Sequence, residues 1–316
     1  MEPLRKNVAL AIDGGGIRGT IVAKALAVVE ESEGIAFSQR ARLTAGTSTG
    51  SIIAAGLSVG LPAARIHKLY RDLAAEIFPR SWRSWRIWPL ITPYRYDNGP
   101  LKAALKKELG AERKMGDLWD GSSNKDLVIV LRDLVENRAR FVKPWKDDYR
   151  DWLVWEAVLA SCTVPTFFPV VKGRYIDGGV GSYSNPCYIA AFEAAFCLED
   201  WLPEDTTLIS LGTGSTGTSG LKQGEADGFR IWNWAGPMLD AFTVDAARQQ
   251  VRLVQQFFKK DRNLDFRRFQ VKLEESIPMD DTSNMDKLTE YGVKLGQKIL
   301  DDKYEKDEPF DTVIMG

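Results

Sequence analysis

Ser48 stands at the centre of Gly46-Thr47-Ser48-Thr49-Gly50, a G-x-S-x-G pentad with apolar runs on both sides. In this pattern a serine sits on a sharp strand-to-helix turn that exposes its hydroxyl as a nucleophile, and the glycines leave room for close backbone packing. The helix that follows points its N-terminus at the same place and favours developing negative charge. A plain Thr/Ser/Gly turn satisfies the same five letters. A serine nucleophile also needs a base. The single histidine, His67, lies in His-Lys-Leu-Tyr-Arg-Asp-Leu, inside a helical pattern and away from any strand end, which argues against a Ser-His-Asp triad. A carboxylate must serve, and Asp177 is the best placed: it ends the apolar Tyr175-Ile176 and is followed by Gly178 and Gly179. Asp-Gly is also a common turn pair, so this motif is weak by itself.

A third loop, Asp13-Gly14-Gly15-Gly16-Ile17-Arg18-Gly19, follows the apolar run 7–12. Consecutive glycines expose N–H groups able to cradle an oxyanion or a phosphate. Gly14, Gly16 and Gly19 also fit the G-x-G-x-x-G of a dinucleotide site, which requires a second strand ending in an acidic residue about 20 positions on. Glu30, Glu31 and Glu33 are near that distance, but they continue a helical pattern with no intervening strand.

These loops need a frame. Apolar runs at 7–12, 43–45, 127–131, 175–176 and 207–211 read as strands, and helical patterns at 20–31, 51–57, 66–77, 101–109 and 152–161 separate most of them. Alternation of this kind predicts a mainly parallel sheet flanked by helices, with sites outside the carboxyl ends of the strands. Past about 228 the chain reads as mostly helical, with 242–259 the clearest case. Residues 80–96 break the pattern: Trp82, Trp85 and Trp88 alternate with Arg80, Arg83 and Arg86 among prolines, an irregular excursion suited to a lipid headgroup boundary or to a packing lid.

Composition narrows the function. The chain has 316 residues, 42 Lys+Arg against 43 Asp+Glu and a net charge of −1, which argues against a sequence-independent nucleic-acid binder. Three scattered cysteines, Cys162, Cys187 and Cys197, fit a reducing compartment, and one histidine with no Cys cluster argues against a zinc site. The uncharged stretch 43–64 is punctuated by glycines and Pro62 and reads as strand, turn and helix; any membrane contact is then peripheral. The basic residues Arg248, Arg252, Lys259, Lys260, Arg262, Arg267 and Arg268 read first as a solvated face and second as a site for an anionic regulator.

Taken together, D-G-G-G-x-R-G, then G-x-S-x-G with Ser48, then the distal D-G-G at Asp177, resemble the patatin-like phospholipases. The likeness runs over about 8–214; the helical part, about 228–316, matches loosely. It implies a three-layer α/β/α patatin-like fold over one domain, 1–316, and a cytoplasmic acyl hydrolase that meets membrane phospholipid from the surface, without cofactor or metal. It implies Ser48 as nucleophile and Asp177 as base, brought within about 2.6–3.2 Å of each other. Gly14, Gly15 and Gly16 then form the oxyanion hole, with Arg18 nearby and the Thr49 N–H assisting. Bacterial members of the family include antiphage effectors switched on by cyclic nucleotides, so a cyclic nucleotide activator, and a homo-oligomer, stand as further expectations. A non-enzymatic dinucleotide-binding protein and a catalytically idle interaction domain are the alternatives.

Overall fold

A computed structural model describes residues 3–79, 93–120, 125–199, 201–216, 224–229 and 244–307. Its centre is a seven-stranded sheet in the order β4-β3-β2-β1-β6-β7, with β5 also paired to β3. The strands are β1 (Asn7–Ile12), β2 (Leu43–Thr47), β3 (Asp126–Asp133), β4 (Arg138–Val142), β5 (Tyr175–Asp177), β6 (Thr206–Leu211) and β7 (Asp265–Phe269). Five run parallel, and β4 and β5 run antiparallel to β3.

The residues of β1, β2 and β6 are buried throughout and those of β3 all but one, as strands covered on both faces require, whereas β4 at the edge of the sheet buries only Val142. Val8, Leu10 and Ile12 of β1 join a core with α1 (Gly19–Glu33), α2 (Thr49–Ser58), α3 (Ala63–Ile77), α4 (Gly99–Leu109) and α5 (Val154–Ser161). Helix α8 (Met285–Leu300) packs on α1 within that layer; α7 is the intervening helix Ala246–Val254. The alternate residues Ala9 and Ala11 face the other way, onto α6 (Cys187–Phe196) and α7. Two helical layers thus sandwich one mostly parallel sheet.

The C-terminal part is helical over α7 and α8, and it also contributes β7, a strand absent from the sequence reading. Helix α7 passes directly into a π-helical stretch, Gln255–Lys260; residues 242 and 243 of the expected helix lie outside the described residues. So do 80–92, most of the Trp/Arg excursion. Arg267 and Arg268 correct the reading of a solvated basic face. Both lie on β7 and are buried, Arg267 against Asp265 and Asp302 and Arg268 against Asp13, because an inward-facing strand position must pair its charge.

Candidate active site

The edge of β3 brings Ser48 and Asp177 together. Strand β2 runs parallel along this edge and ends with Thr47 opposite Val130. Strand β5 runs antiparallel, and its last residue, Asp177, is opposite Leu131, the next position. Since β4 occupies the other edge over the same residues, β2 and β5 run head-on along a single edge and meet there. One strand delivers a hydroxyl and the other a carboxylate.

The local sequence explains the turn at each strand end. Ser48 has φ 54° and ψ −131°, a strained conformation for a residue with a side chain. The crossing is tight enough that a Cβ on Gly46 would strike Gly50 O, and one on Gly50 would strike Ile12 O. Gly178 lies against Val130, with its absent Cβ 2.5 Å from Val130 O.

The end of α5 ties the two turns to each other. Ser161 Oγ donates to Val130 O (2.6 Å) and accepts the Ser48 N–H (2.9 Å). Cys162 Sγ donates to Ser48 O (3.2 Å), and Thr163 O accepts the Asp177 N–H (2.9 Å). Three consecutive residues therefore hold the Ser48 turn and the strand that ends in Asp177. The sequence marks Cys162 only as a scattered thiol and gives Ser161 and Thr163 no role; Ala-Ser-Cys-Thr at a helix end carries no catalytic pattern, and only the folded register reveals the contacts.

Ser48 is 8% exposed and Asp177 3%. Burial pushes the Asp177 carboxyl up to about 6, opposed by the neighbouring Ser48 hydroxyl and the Gly179 N–H. Gly179 N donates to Asp177 Oδ1 (2.7 Å), while Oδ2 is buried and takes no hydrogen bond, so the carboxylate keeps an unfilled acceptor atom. Catalytic hydrogen bonds commonly tighten only with substrate bound.

The glycine loop lies above this pair. The absent Cβ of Gly14 would be 3.1 Å from Ser48 Cβ. The Gly14 N–H corrects the oxyanion-hole expectation at that position: it is turned to Ser184 O (2.8 Å) and is already spent. Gly15 and Gly16 are half-buried, and their N–H groups enter none of the described loop hydrogen bonds. Thr49 is the first residue of α2, so its N–H has no partner within the helix. Arg18 folds back on its own loop, with Nε donating to Gly15 O (3.4 Å).

Ser48, Thr49 and Gly16 border an apolar cavity walled by Ile52, Leu73, Ile77, Leu101, Leu105 and Phe168. Met279 lines its rim and accepts the Ile17 N–H at its carbonyl (2.8 Å). Beside it, Asp280 Oδ2 accepts from Arg95 Nη1 (2.6 Å) and the Tyr96 hydroxyl (2.8 Å). A wall of this kind can receive a hydrocarbon chain.

The other readings find no geometry here. Glu30 lies on α1 and accepts the N–H groups of Phe37 and Ala63 (2.8 Å each), a structural clasp without a preceding strand. His67 is on α3, with Nε2 3.4 Å from Thr289 Oγ1 of α8, and burial lowers its pKa. Among the described residues, no three His, Cys, Asp or Glu side chains are grouped to hold a metal ion.

Residues 10–191, more than half of the chain, match the family model of the patatin-like phospholipases. The chain belongs to that family. Among curated relatives, a cGAMP-activated phospholipase of Escherichia coli is 27% identical over 223 residues, covering 65% of this chain and 61% of the relative. The 85/88 kDa calcium-independent phospholipase A2 of Mus musculus is 28% identical, over 66% of this chain and 27% of the relative. The chain thus spans less than two thirds of either protein. A cGAMP-activated phospholipase of Vibrio cholerae aligns at 26% identity over 90% of this chain and 86% of its own length. Among solved structures, VipD from Legionella pneumophila superposes with a TM-score of 0.45 at 13% identity, over 95% of this chain and 67% of that one.

Proposed function

We propose that this patatin-like protein is a lipid acyl hydrolase in which Ser48 is the nucleophile and Asp177 its base. The observation that carries this reading is the head-on meeting of β2 and β5 on one edge of β3, which puts a strained serine beside a buried carboxylate with an open acceptor atom. Asp177 takes the Ser48 proton as Oγ attacks an ester carbonyl, and the ester oxygen becomes an oxyanion. The N–H groups of Gly15, Gly16 and Thr49 are the donors available to it; losing one such donor typically costs about 2.7–4 kcal/mol of barrier. Asp177 then protonates the departing alcohol. In the second half it accepts a proton from water, which attacks the acyl-serine, and returns that proton to Ser48 Oγ as the fatty acid leaves.

The apolar cavity beside Ser48 suits a fatty acyl chain, and with the family assignment this points to phospholipid as the substrate class. No helix among the described residues is long and apolar enough to cross a membrane, so the reading takes substrate from the membrane surface. It treats residues 1–316 as one catalytic unit. A fluorophosphonate should label the protein at Ser48 and fail to label Ser48→Ala; labelling that persists at another residue would overturn the assignment.

A second reading is favoured by the names of three bacterial relatives, each a cGAMP-activated phospholipase: the same hydrolase would be gated by a cyclic dinucleotide and act as a membrane-degrading effector in antiphage defence. Calorimetry with cGAMP, together with lipid hydrolysis that appears only when it is added, supports gating. Full hydrolysis without it and no heat of binding reject it.

A further inference from the structure

The glycine loop is held from outside the region that matches the family. Ala11, Ser210 and Arg268 stand in one row across β1, β6 and β7. From β7 the Arg268 guanidinium passes the middle strand, where Nη1 donates to Ser210 Oγ (2.9 Å). It then grips Asp13 with both prongs, Nη1 to Oδ1 at 2.9 Å and Nη2 to Oδ2 at 2.5 Å. Asp13 is the first residue of the glycine loop, and both partners are buried. Two further supports come from the same part of the chain: Thr213 Oγ1 donates to Gly14 O (2.7 Å), and Met279 O accepts the Ile17 N–H. All three supporting residues lie beyond position 191, where the family match ends.

A buried ion pair is a poor source of stability, because its attraction must first offset the desolvation of two charges; an apolar pair of equal volume often does as well. What a planar guanidinium on a carboxylate supplies is fixed geometry: two parallel hydrogen bonds set distance and angle at once. Here the fixed point lies two residues before Gly15.

We propose that Arg268 is a positioning residue for the oxyanion donors: its fork on Asp13 orients the Gly15 and Gly16 N–H groups toward Ser48. The catalytic consequence rests on the hydrolase reading above; the structural part, that Arg268 orders the loop, does not.

The test uses Arg268→Lys, which keeps the charge but loses the fork, and Arg268→Met, which loses both. Each is assayed in the full-length protein for thermal unfolding, for kcat and KM on a short soluble ester, and for amide hydrogen exchange in a peptide spanning Gly14–Arg18. For Arg268→Lys, positioning predicts near-native unfolding, a kcat lower by about ten-fold or more with KM little changed, and faster exchange of the Gly15 and Gly16 amides. Arg268→Met should reproduce the kinetic loss at temperatures where it is folded. If it does not fold, Arg268→Lys and Asp13→Glu, which keeps the charges but displaces the carboxylate, decide the matter. Native kcat and native exchange in Arg268→Lys would overturn the proposal. A wild-type protein that neither turns over the ester nor reacts with a fluorophosphonate defeats the hydrolase reading instead, and amide exchange still decides whether Arg268 orders the loop.

Discussion

Asp177 is buried beside Ser48 with its carboxyl pushed up to about 6, and two expectations follow from that single fact. As a base it must be ionised, so kcat/KM on a soluble ester should be level above pH 6 and fall about ten-fold per pH unit well below it. A profile that stays flat to pH 4 would remove Asp177 from the rate equation. The stability effect has the opposite sense. The folded protein holds this proton to a higher pH than the unfolded chain, whose value is near the ordinary 3.8, so stability declines as pH rises from about 4 to about 6. Above that window the buried charge costs at most about 3 kcal/mol. Asp177→Asn should therefore unfold at a higher temperature than wild type at pH 8 while losing activity; a lower unfolding temperature would show that the carboxylate is held by more than these contacts supply. The elbow glycines carry a different expectation. Gly46→Ala and Gly50→Ala each force a Cβ into backbone oxygen, which should cost about 2 kcal/mol or more in denaturant unfolding and abolish fluorophosphonate labelling. Unchanged labelling would mean that the turn has more slack than its geometry shows.

At the scale of elements, the separation of the two motifs is set by strand register. Apolar runs announced β1, β2, β3 and β6, because a strand covered on both faces has little choice but to be apolar. Ser48 and Asp177 could be singled out from residue type and from their place at strand ends. Their meeting is implied only by the family resemblance; nothing in the letters says that β5 turns back along the edge that β2 has just left. Strand β7 was illegible for another reason. Asp-Phe-Arg-Arg-Phe puts charges where a buried strand should be apolar, and besides the local Asp265 it takes partners distant in sequence, Asp13 and Asp302, to make that tolerable. The same lesson separates the two readings of the glycine loop. Glu30 satisfies two backbone N–H groups at the end of α1, so Glu30→Ala should lower stability by about 1–3 kcal/mol in denaturant unfolding and leave kcat unchanged. A protein that loses NAD binding on this change, with stability intact, would revive the dinucleotide reading.

For the whole molecule, the matched region contains Ser48, Asp177 and the glycine loop, while the strand whose Arg268 grips Asp13 comes from beyond it. Function then depends on two distant parts of the chain being folded on each other. The Trp/Arg excursion carries a prediction from its composition. Trp82→Ala and Trp85→Ala should reduce hydrolysis of anionic vesicles more than hydrolysis of a short soluble ester, since indoles favour the headgroup boundary and arginines favour anionic lipid. Equal losses on both substrates would assign the segment to packing. The most direct measurement of the central claim is lipid-product analysis by mass spectrometry of phospholipid vesicles incubated with wild type, Ser48→Ala and Asp177→Asn, each with and without cGAMP. Fatty acid and lysophospholipid should accumulate with wild type in at least one condition and fall by roughly 1,000-fold or more with either variant. Undiminished product from folded Ser48→Ala or Asp177→Asn would contradict the account.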